Sequence, residues 1–297
     1  MAWEAGPKGK GVNFLPSAQL QTPFIVFQGE IDQVCDPPGT ARFIQQTSNA
    51  QIVNLPNVGH GYSVQKNWMP QFKQSFQQLT SAATEVRAPA QLGDLPLIEA
   101  PVSSNSDTFA VILTGDGGWA SLDRELAGAI TAKGFPVVGW DSLHYYWTPR
   151  TPEDAASDLG RIVRHYAQAW HKNKVMLIGF SRGADVLPFL VNKLAASEKE
   201  RVSQVVLLGL SNHVDLELKV TDWLPGGGEG SLDVIAESNK LRGLHALCIY
   251  GAGEKDSGCR KLDRKYVAVT ELAGGHHFGG NYAEVAEVIL RHQEKTP

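Results

Sequence analysis

The chain has 297 residues, of which 42% are hydrophobic and 20% charged, and its formal net charge is −4. This composition is typical of a globular protein, and the negative balance gives no electrostatic support for nucleic-acid binding. No run of 18 apolar residues predicts a transmembrane helix, and the first residues do not form a signal peptide, so an exported form would carry its signal outside this sequence.

The N-terminal part of the chain repeats a pattern found near the C-terminus. GEIDQVC at residues 29–35 resembles GEKDSGC at residues 253–259, and in each copy a later strand ends in Gly-His-x-aromatic. Such self-similarity indicates duplicated units. The comparison pairs Asp32 with Asp256 and His60 with His276. We interpret residues 1–85 as the C-terminal portion of an incomplete first domain, which either adds strands to the complete domain or pairs with another chain.

Residues 86–100 have the alanine- and proline-rich composition of a linker, and residues 101–297 are long enough for a complete domain. Apolar runs predict strands at residues 109–113, 136–140, 175–178, 205–210, 245–250 and 266–270. Helical patterns cover residues 122–133, 151–170 and 184–194, the second beginning with Thr151 as N-cap and Pro152 at the first position. This alternation predicts an α/β fold with a mostly parallel sheet covered on both faces.

The sequence Gly179-Phe180-Ser181-Arg182-Gly183 lies between a predicted strand and a predicted helix. A G-x-S-x-G at such a junction is the nucleophile elbow of α/β-hydrolases, in which a strained turn presents the serine hydroxyl. The alternative is a chance glycine-rich turn. The flanking strand and helix favour the elbow, so we predict an α/β-hydrolase fold with Ser181 as nucleophile. Residues 1–85 are then a partial hydrolase-like domain without a nucleophile, and we expect no catalysis from Asp32 and His60.

A serine nucleophile needs a base and an orienting acid, which follow it along the chain in this fold. His276 comes directly after a glycine pair, and we prefer it to His277 as the base. The preceding loop offers Glu254 and Asp256. The repeat favours Asp256 as the acid, because its counterpart Asp32 shares the same position in the first copy.

The loop Thr114-Gly115-Asp116-Gly117-Gly118-Trp119 follows an early strand. We expect the backbone N–H of Asp116 or Gly117, together with that of Arg182, to form the oxyanion hole. A phosphate-binding loop is the alternative, but the G-x-x-x-x-G-K-[ST] pattern is absent and the Asp116 charge would repel an anion. We therefore predict neither nucleotide nor another cofactor.

Two segments are candidates to shape the substrate site. Residues 141–147, which include Asp141 and His144, follow a predicted strand and should face the crevice, although their aromatic rings could equally be packing. The insert at residues 211–240, which contains Trp223, is either a lid or a solvated loop. No cluster has metal-ligand spacing, so no metal is expected. Cys248 is interpreted as a core residue. Cys35 and Cys259 are either loop packing residues, or one of them pairs with another cysteine.

Several motifs together resemble the bacterial virulence family of VirJ and AcvB over about residues 100–295. They are FAVILTGDGGW, GWDSL, GFSRGAD, EKDSGC and AGGHHF. AcvB-like members carry two related hydrolase-like domains, which fits the N-terminal repeat, although this chain lacks most of the first. The resemblance implies a periplasmic hydrolase of aminoacyl-phosphatidylglycerol, with Ser181, His276 and Asp256 as its triad, and a link to type IV secretion.

An aminoacyl ester of this kind presents a carbonyl and a cationic amine. Acidic candidates to hold the amine are Asp116, Asp141, Asp185 and Glu254. Trp119, Trp147 and Trp223 either rest at the lipid headgroup level or belong to the core. We therefore expect a periplasmic serine esterase acting on lysyl- or alanyl-phosphatidylglycerol with peripheral membrane contact. A generic carboxylesterase or thioesterase and a non-catalytic secretion scaffold are the alternatives, and the preferred amino acid and oligomeric state stay open.

Overall fold

The computed structural model describes residues 3–5, 11–18, 20, 23–81, 90–216 and 232–293. The chain divides into two compact units, Met1–Glu85 and Val86–Pro297. The division falls at the start of the expected linker. The interpretation of unit 1 as part of a hydrolase-like domain stays a prediction.

Unit 1 contains a small parallel sheet with flanking helices. Its elements are β1 (Trp3–Ala5), β2 (Val12–Phe14), β3 (Phe24–Gly29), α1 (Pro37–Gln45), β4 (Ala50–Leu55) and α2 (Met69–Ser81). β3 and β4 pair in parallel, whereas β1 and β2 form an antiparallel pair. Asp36 caps α1 by accepting a hydrogen bond from the Gly39 N–H, and the two prolines that follow it occupy the first helical turn, where no N–H donor is needed.

Unit 2 is built on a seven-stranded sheet. The strands of this sheet are β5 (Leu97–Ala100), β6 (Thr108–Leu113), β7 (Val137–Trp140), β8 (Lys174–Phe180), β9 (Val202–Leu208), β12 (Ala246–Gly251) and β13 (Val267–Leu272). Their order is β13-β12-β9-β8-β6-β7-β5. Every pairing is parallel except that of β5 with β7. A short antiparallel pair, β10 (His213–Val214) and β11 (Leu232–Asp233), lies outside this sheet.

Helices cover both faces of the large sheet. They are α3 (Ser121–Ala132), α4 (Ser142–Tyr145), α5 (Pro152–Ala169), α6 (Arg182–Lys193), α7 (Ala196–Lys199), α8 (Val234–Ser238) and α9 (Tyr282–Gln293). α3 packs against α9, and α6 packs against both α5 and α8. Thr151 and Asp154 form a capping box at the start of α5, with Pro152 in the first turn, as predicted.

β6, an inner strand of the sheet, is apolar from Phe109 to Leu113 because both of its faces are buried. Phe109, Val111 and Leu113 point into the core under α5 and α6, whereas Ala110 and Ile112 point into the core under α3 and α9. All five residues are at most 1% exposed. A parallel strand buried on both faces has no position for a polar side chain. The mostly parallel, two-sided sheet confirms the predicted α/β-hydrolase fold.

A disulfide joins Cys248 of β12 to Cys259, which lies in a short 3-10 helix at Gly258–Lys261. The interpretation of Cys248 as a simple core residue is therefore incomplete, because its buried sulfur is covalently bonded. Cys35 of unit 1 is an exposed free cysteine. The bond closes a short loop that contains residues 251–257, so both ends of this loop are fixed to the sheet region.

Candidate active site

The nucleophile elbow forms where β8 gives way to α6. Ser181 has φ 51° and ψ −121°, a conformation that is strained for a residue with a side chain. Glycines on both sides permit it. A Cβ at Gly179 would lie 2.4 Å from the carbonyl oxygen of Gly183, and a Cβ at Gly183 would lie 2.1 Å from that of Leu113. The sharp turn thus explains both glycines of the G-x-S-x-G sequence.

His276 lies against the elbow serine. Its Nε2 is 3.0 Å from Ser181 Oγ, within hydrogen-bond distance. The ring stacks obliquely on Phe180, with centroids 5.1 Å apart, and a Cβ at Gly209 would come 2.7 Å from the His276 Cε1 atom. Gly274, with φ 94°, turns the chain ahead of the histidine. The structure therefore brings Ser181 together with His276, the histidine preferred over His277.

The carboxylate next to His276 belongs to Glu254, which corrects the expectation of Asp256. Glu254 Oε1 is 2.6 Å from His276 Nδ1, and Oε2 accepts a hydrogen bond from the Gly251 N–H at 2.7 Å. The turn after β12 places the longer glutamate side chain between these two partners. Asp256 is exposed, and its backbone carbonyl accepts a 3.4 Å hydrogen bond from Asn212.

The repeat comparison explains why the acid was misassigned. In unit 1, His60 Nδ1 does lie 3.3 Å from Asp32 Oδ2, the position that aligns with Asp256. In unit 2, the partner of the corresponding histidine comes two residues earlier. Sequence reasoning also named Glu254 as a candidate to hold a substrate amine, and its hydrogen bond to His276 contradicts that role. Glu254 follows the end of β12 more closely than Asp256 and has the longer side chain, and these two differences could have favoured it from the sequence.

The electrostatics of the pair suit a base that must hold a proton transiently. The hydrogen bond that His276 donates to Glu254 raises the pKa of His276, although burial acts in the opposite direction. Burial raises the pKa of Glu254, but the hydrogen bonds from His276 and from Gly251 outweigh it and leave the pKa below its ordinary value. Both directions favour an ionised carboxylate beside a protonated imidazole.

Asp185 is buried one helical turn beyond Ser181. Burial raises its pKa to about 7, against the lowering effect of hydrogen bonds from Ser211. Its Oδ1 accepts from the Ser211 N–H at 2.7 Å, and its own N–H donates to the Ser181 carbonyl. The side chain therefore links the elbow to the loop after β9, and this contact replaces the amine-holding role considered from the sequence.

The glycine-rich loop after β6 approaches the elbow. A Cβ at Gly115 would lie 3.3 Å from the Cβ of Ser181, so the loop backbone passes close to Ser181. Asp116 is half-buried, Gly117 is exposed, and Arg182 is the first residue of α6. The assignment of the oxyanion-hole N–H groups to Asp116 or Gly117 and to Arg182 stays a prediction. The Arg182 guanidinium donates to the Asp215 carbonyl at 2.6 Å.

Asp141, His144 and Trp119 were expected at the substrate, but the structure shows them in contacts with one another and with neighbouring backbone. Asp141 is buried, and its carboxylate accepts hydrogen bonds from the His144 N–H at 3.0 Å and the Trp119 N–H at 3.4 Å. Its Oδ2 also lies 2.8 Å from His144 Nδ1. The Trp119 ring covers Gly139, where a Cβ would come within 2.3 Å of the indole. These contacts favour the packing alternative. Trp223 lies outside the described residues.

Within the part of the chain that the structure describes, no helix has the length and apolar character needed to cross a membrane. The chain is similar to the solved structures of Est1E from Butyrivibrio proteoclasticus and MenH from S. aureus, at 12% identity in each case. The first similarity covers 68% of this chain and 96% of that chain, with a TM-score of 0.48. The second covers 67% and 99%, with a TM-score of 0.49.

A comparison with curated proteins finds no match. The family described as bacterial virulence protein (VirJ) matches residues 107–296, which is well over half of the chain and includes the elbow, Glu254 and His276. The chain belongs to this VirJ family.

Proposed function

We propose that the protein is a serine esterase in which Ser181, His276 and Glu254 act as a catalytic triad. The observation that carries the proposal is the continuous hydrogen-bonded path from Ser181 Oγ through both ring nitrogens of His276 to Glu254, with distances of 3.0 and 2.6 Å. Nucleophile, base and orienting acid are recognised by this geometry. The strained conformation of Ser181 supports the same conclusion.

In the proposed reaction, Ser181 Oγ attacks the carbonyl carbon of an ester while His276 Nε2 accepts the hydroxyl proton. Glu254 stabilises the imidazolium that forms. The tetrahedral intermediate collapses as His276 donates its proton to the departing alcohol oxygen, which leaves an acyl-serine. A water molecule then attacks this acyl group, His276 accepts its proton, and the return of that proton to Ser181 releases the carboxylate product.

We propose that the substrate is an aminoacyl ester of phosphatidylglycerol, as the resemblance to AcvB-like proteins implies. The sequence offers four acidic candidates for the amine of this ester, which are Asp116, Asp141, Asp185 and Glu254. Asp116 is half-buried, and its charge contributes to the raised pKa of His276, so it lies near the reacting atoms. The proposal therefore assigns the substrate ammonium to the Asp116 carboxylate.

The Cys248–Cys259 disulfide supports placement of the protein in the periplasm. Structural disulfides persist in oxidising compartments and are rare in a reducing cytosol. The substrate headgroup lies at a membrane surface, so the proposed protein would bind that surface peripherally. A link to type IV secretion rests on the family resemblance alone.

The test is release of amino acid from vesicles of lysyl- or alanyl-phosphatidylglycerol by wild type and Ser181→Ala. We expect release by wild type and a loss of at least about 1,000-fold in the variant. Asp116→Asn keeps the backbone N–H and should lower kcat/KM for the aminoacyl lipid about tenfold, corresponding to about 1.4 kcal/mol, while a neutral short-chain ester is hydrolysed as before.

The outcomes separate the mechanism from the substrate. Labelling of Ser181 by a fluorophosphonate without amino acid release from either lipid would retain the esterase and reject the substrate, leaving a generic carboxylesterase or thioesterase. Equal losses on both substrates in Asp116→Asn would reject the ammonium contact. The absence of both labelling and release would reject the triad and favour the non-catalytic scaffold.

A further inference from the structure

Unit 1 brings together three metal-ligating side chains that the sequence analysis did not group. Asp32 and Cys35 lie in the loop after β3, and His60 lies in the loop after β4. One potential donor atom from each residue lies within 4.8 Å of the other two. Because β3 and β4 are parallel neighbours, their carboxyl ends meet at one edge of the small sheet, which joins residues distant in sequence.

The Asp32 carboxylate is held in a fixed orientation. Its Oδ1 accepts hydrogen bonds from the backbone N–H groups of Val34 at 2.8 Å and Cys35 at 2.9 Å. This turn leaves Oδ2 facing His60 Nδ1. Gln28 donates to the Cys35 carbonyl, which anchors the loop further. Hydrogen bonds of this kind orient carboxylate ligands in metal sites.

The spacing within the cluster is compatible with coordination of a metal ion. His60 Nδ1 and Asp32 Oδ2 are 3.3 Å apart, whereas the corresponding pair in unit 2, His276 and Glu254, is 2.6 Å apart. In a tetrahedral site with zinc bonds of about 2.0 Å, two nitrogen or oxygen ligands lie about 3.3 Å from each other. In such a site the Cys35 sulfur would lie about 3.5 Å from the donor atoms of Asp32 and His60. Shifts of the side chains on the order of 1 Å would bring it to that distance.

We propose that Asp32, Cys35 and His60 form a zinc-binding site. The donor set of carboxylate, thiolate and imidazole suits zinc, and three protein ligands leave a fourth position for water. The Asp32 side chain is 4% exposed while that of His60 is 53% exposed, so one side of the site is buried and the other is open to an entering ion. Unit 1 would thus use its histidine to bind metal, where unit 2 places its histidine against a serine.

Cobalt(II) can test the site spectroscopically because the chain has one free thiol. The sequence contains three cysteines, and two form the Cys248–Cys259 disulfide. A thiolate-to-cobalt charge-transfer band can therefore come only from Cys35. We expect wild type, freed of metal by a chelator, to bind one Co²⁺ with this band and with the visible spectrum of a tetrahedral ion, and one equivalent of Zn²⁺ to abolish both.

The variants distinguish a three-ligand site from binding to the thiol alone. Cys35→Ser should remove the charge-transfer band, and Asp32→Asn and His60→Gln should each weaken Co²⁺ binding at least about 100-fold. Asp36→Asn is the matched control. Asp36 caps α1 and is not a member of the cluster, and asparagine caps a helix equally well, so binding should be unchanged.

Two results would overturn the proposal. One is the absence of the band from wild type at Co²⁺ concentrations up to about 100 μM while circular dichroism shows a folded chain. The other is equal Co²⁺ affinity in wild type, Asp32→Asn and His60→Gln, which would mean adventitious binding by the Cys35 thiol. The readout does not involve ester hydrolysis, so it is independent of the proposed function.

Discussion

Replacing Glu254 with glutamine tests the acid of the proposed triad with little change in volume. The amide oxygen can retain the hydrogen bond from the Gly251 N–H, now made through Oε2 at 2.7 Å. The amide NH₂ would then face His276 Nδ1, where Glu254 Oε1 now lies at 2.6 Å. An NH₂ group donates to Nδ1, so the histidine proton would reside on Nε2, and Nε2 could no longer accept the Ser181 proton.

The expected loss follows from this tautomer change. An amide in place of the triad carboxylate lowers kcat about 10⁴-fold in the serine protease template, which corresponds to about 5.4 kcal/mol of transition-state stabilisation. Glu254 has the same one-to-one contact with the imidazole. We therefore expect a loss of 10³- to 10⁴-fold in acylation by Glu254→Gln, with the fold retained.

The assay is the rate of Ser181 labelling by a fluorophosphonate, together with hydrolysis of a chromogenic short-chain ester. Asp256→Asn is the matched control, since it makes the same chemical change two residues away on an exposed side chain. We expect its rates to stay within about twofold of wild type. Urea denaturation of both variants checks that the comparison is between folded proteins.

The reasoning fails if Asp256→Asn loses as much activity as Glu254→Gln. It also fails if Glu254→Gln retains more than about a tenth of the wild-type rate, because the His276 tautomer would then not depend on this carboxylate. Neither result can be attributed to substrate choice, since the fluorophosphonate reacts with any activated serine in reach.

Three further predictions concern the pH profile, the disulfide and the elbow. The pKa of His276 is raised above 6.5, so the acylation rate should rise with pH through an inflection above 6.5, and this inflection should move lower in Glu254→Gln. While Glu254 stays ionised, the raised His276 pKa contributes stability that is present at pH 6.5 and is lost as pH rises through the folded pKa, which urea denaturation at several pH values measures. Replacing both Cys248 and Cys259 with serine opens a loop with a sequence separation of 11 and should lower the free energy of unfolding by about 3 kcal/mol. A reductant should destabilise the wild type but not this variant. Gly183→Ala places a Cβ 2.1 Å from a carbonyl oxygen and should reduce both the midpoint of urea unfolding and fluorophosphonate labelling, whereas wild-type values for both would contradict the close contact.

Much of the unit 2 fold could be predicted because its elements carry local signals. β6 is apolar at every position from Phe109 to Leu113, since both faces of the strand are buried. The start of α5 could be read from Thr151 and Pro152, whose capping and φ preferences act within one turn. The elbow was recognisable because the sharp turn has room only for glycine at positions 179 and 183.

The roles of side chains in loops were harder to predict, because they depend on direction and reach. Glu254 and Asp256 are both carboxylates after the same strand, and only the turn geometry places the longer one on His276. Asp141 follows a strand at the expected edge, yet its side chain turns toward the Trp119 N–H. The Cys248–Cys259 bond likewise depends on how the loop returns to the strand.

At position 181 the left-handed backbone favours glycine, whereas the proposed chemistry needs the hydroxyl of serine. Glycine would relax this conformation, which costs on the order of 1–3 kcal/mol for a residue with a side chain, but it has no hydroxyl. The residue that the proposed reaction requires is therefore one that the backbone disfavours. A change from serine to glycine at position 181 would therefore relax the elbow while removing the proposed nucleophile.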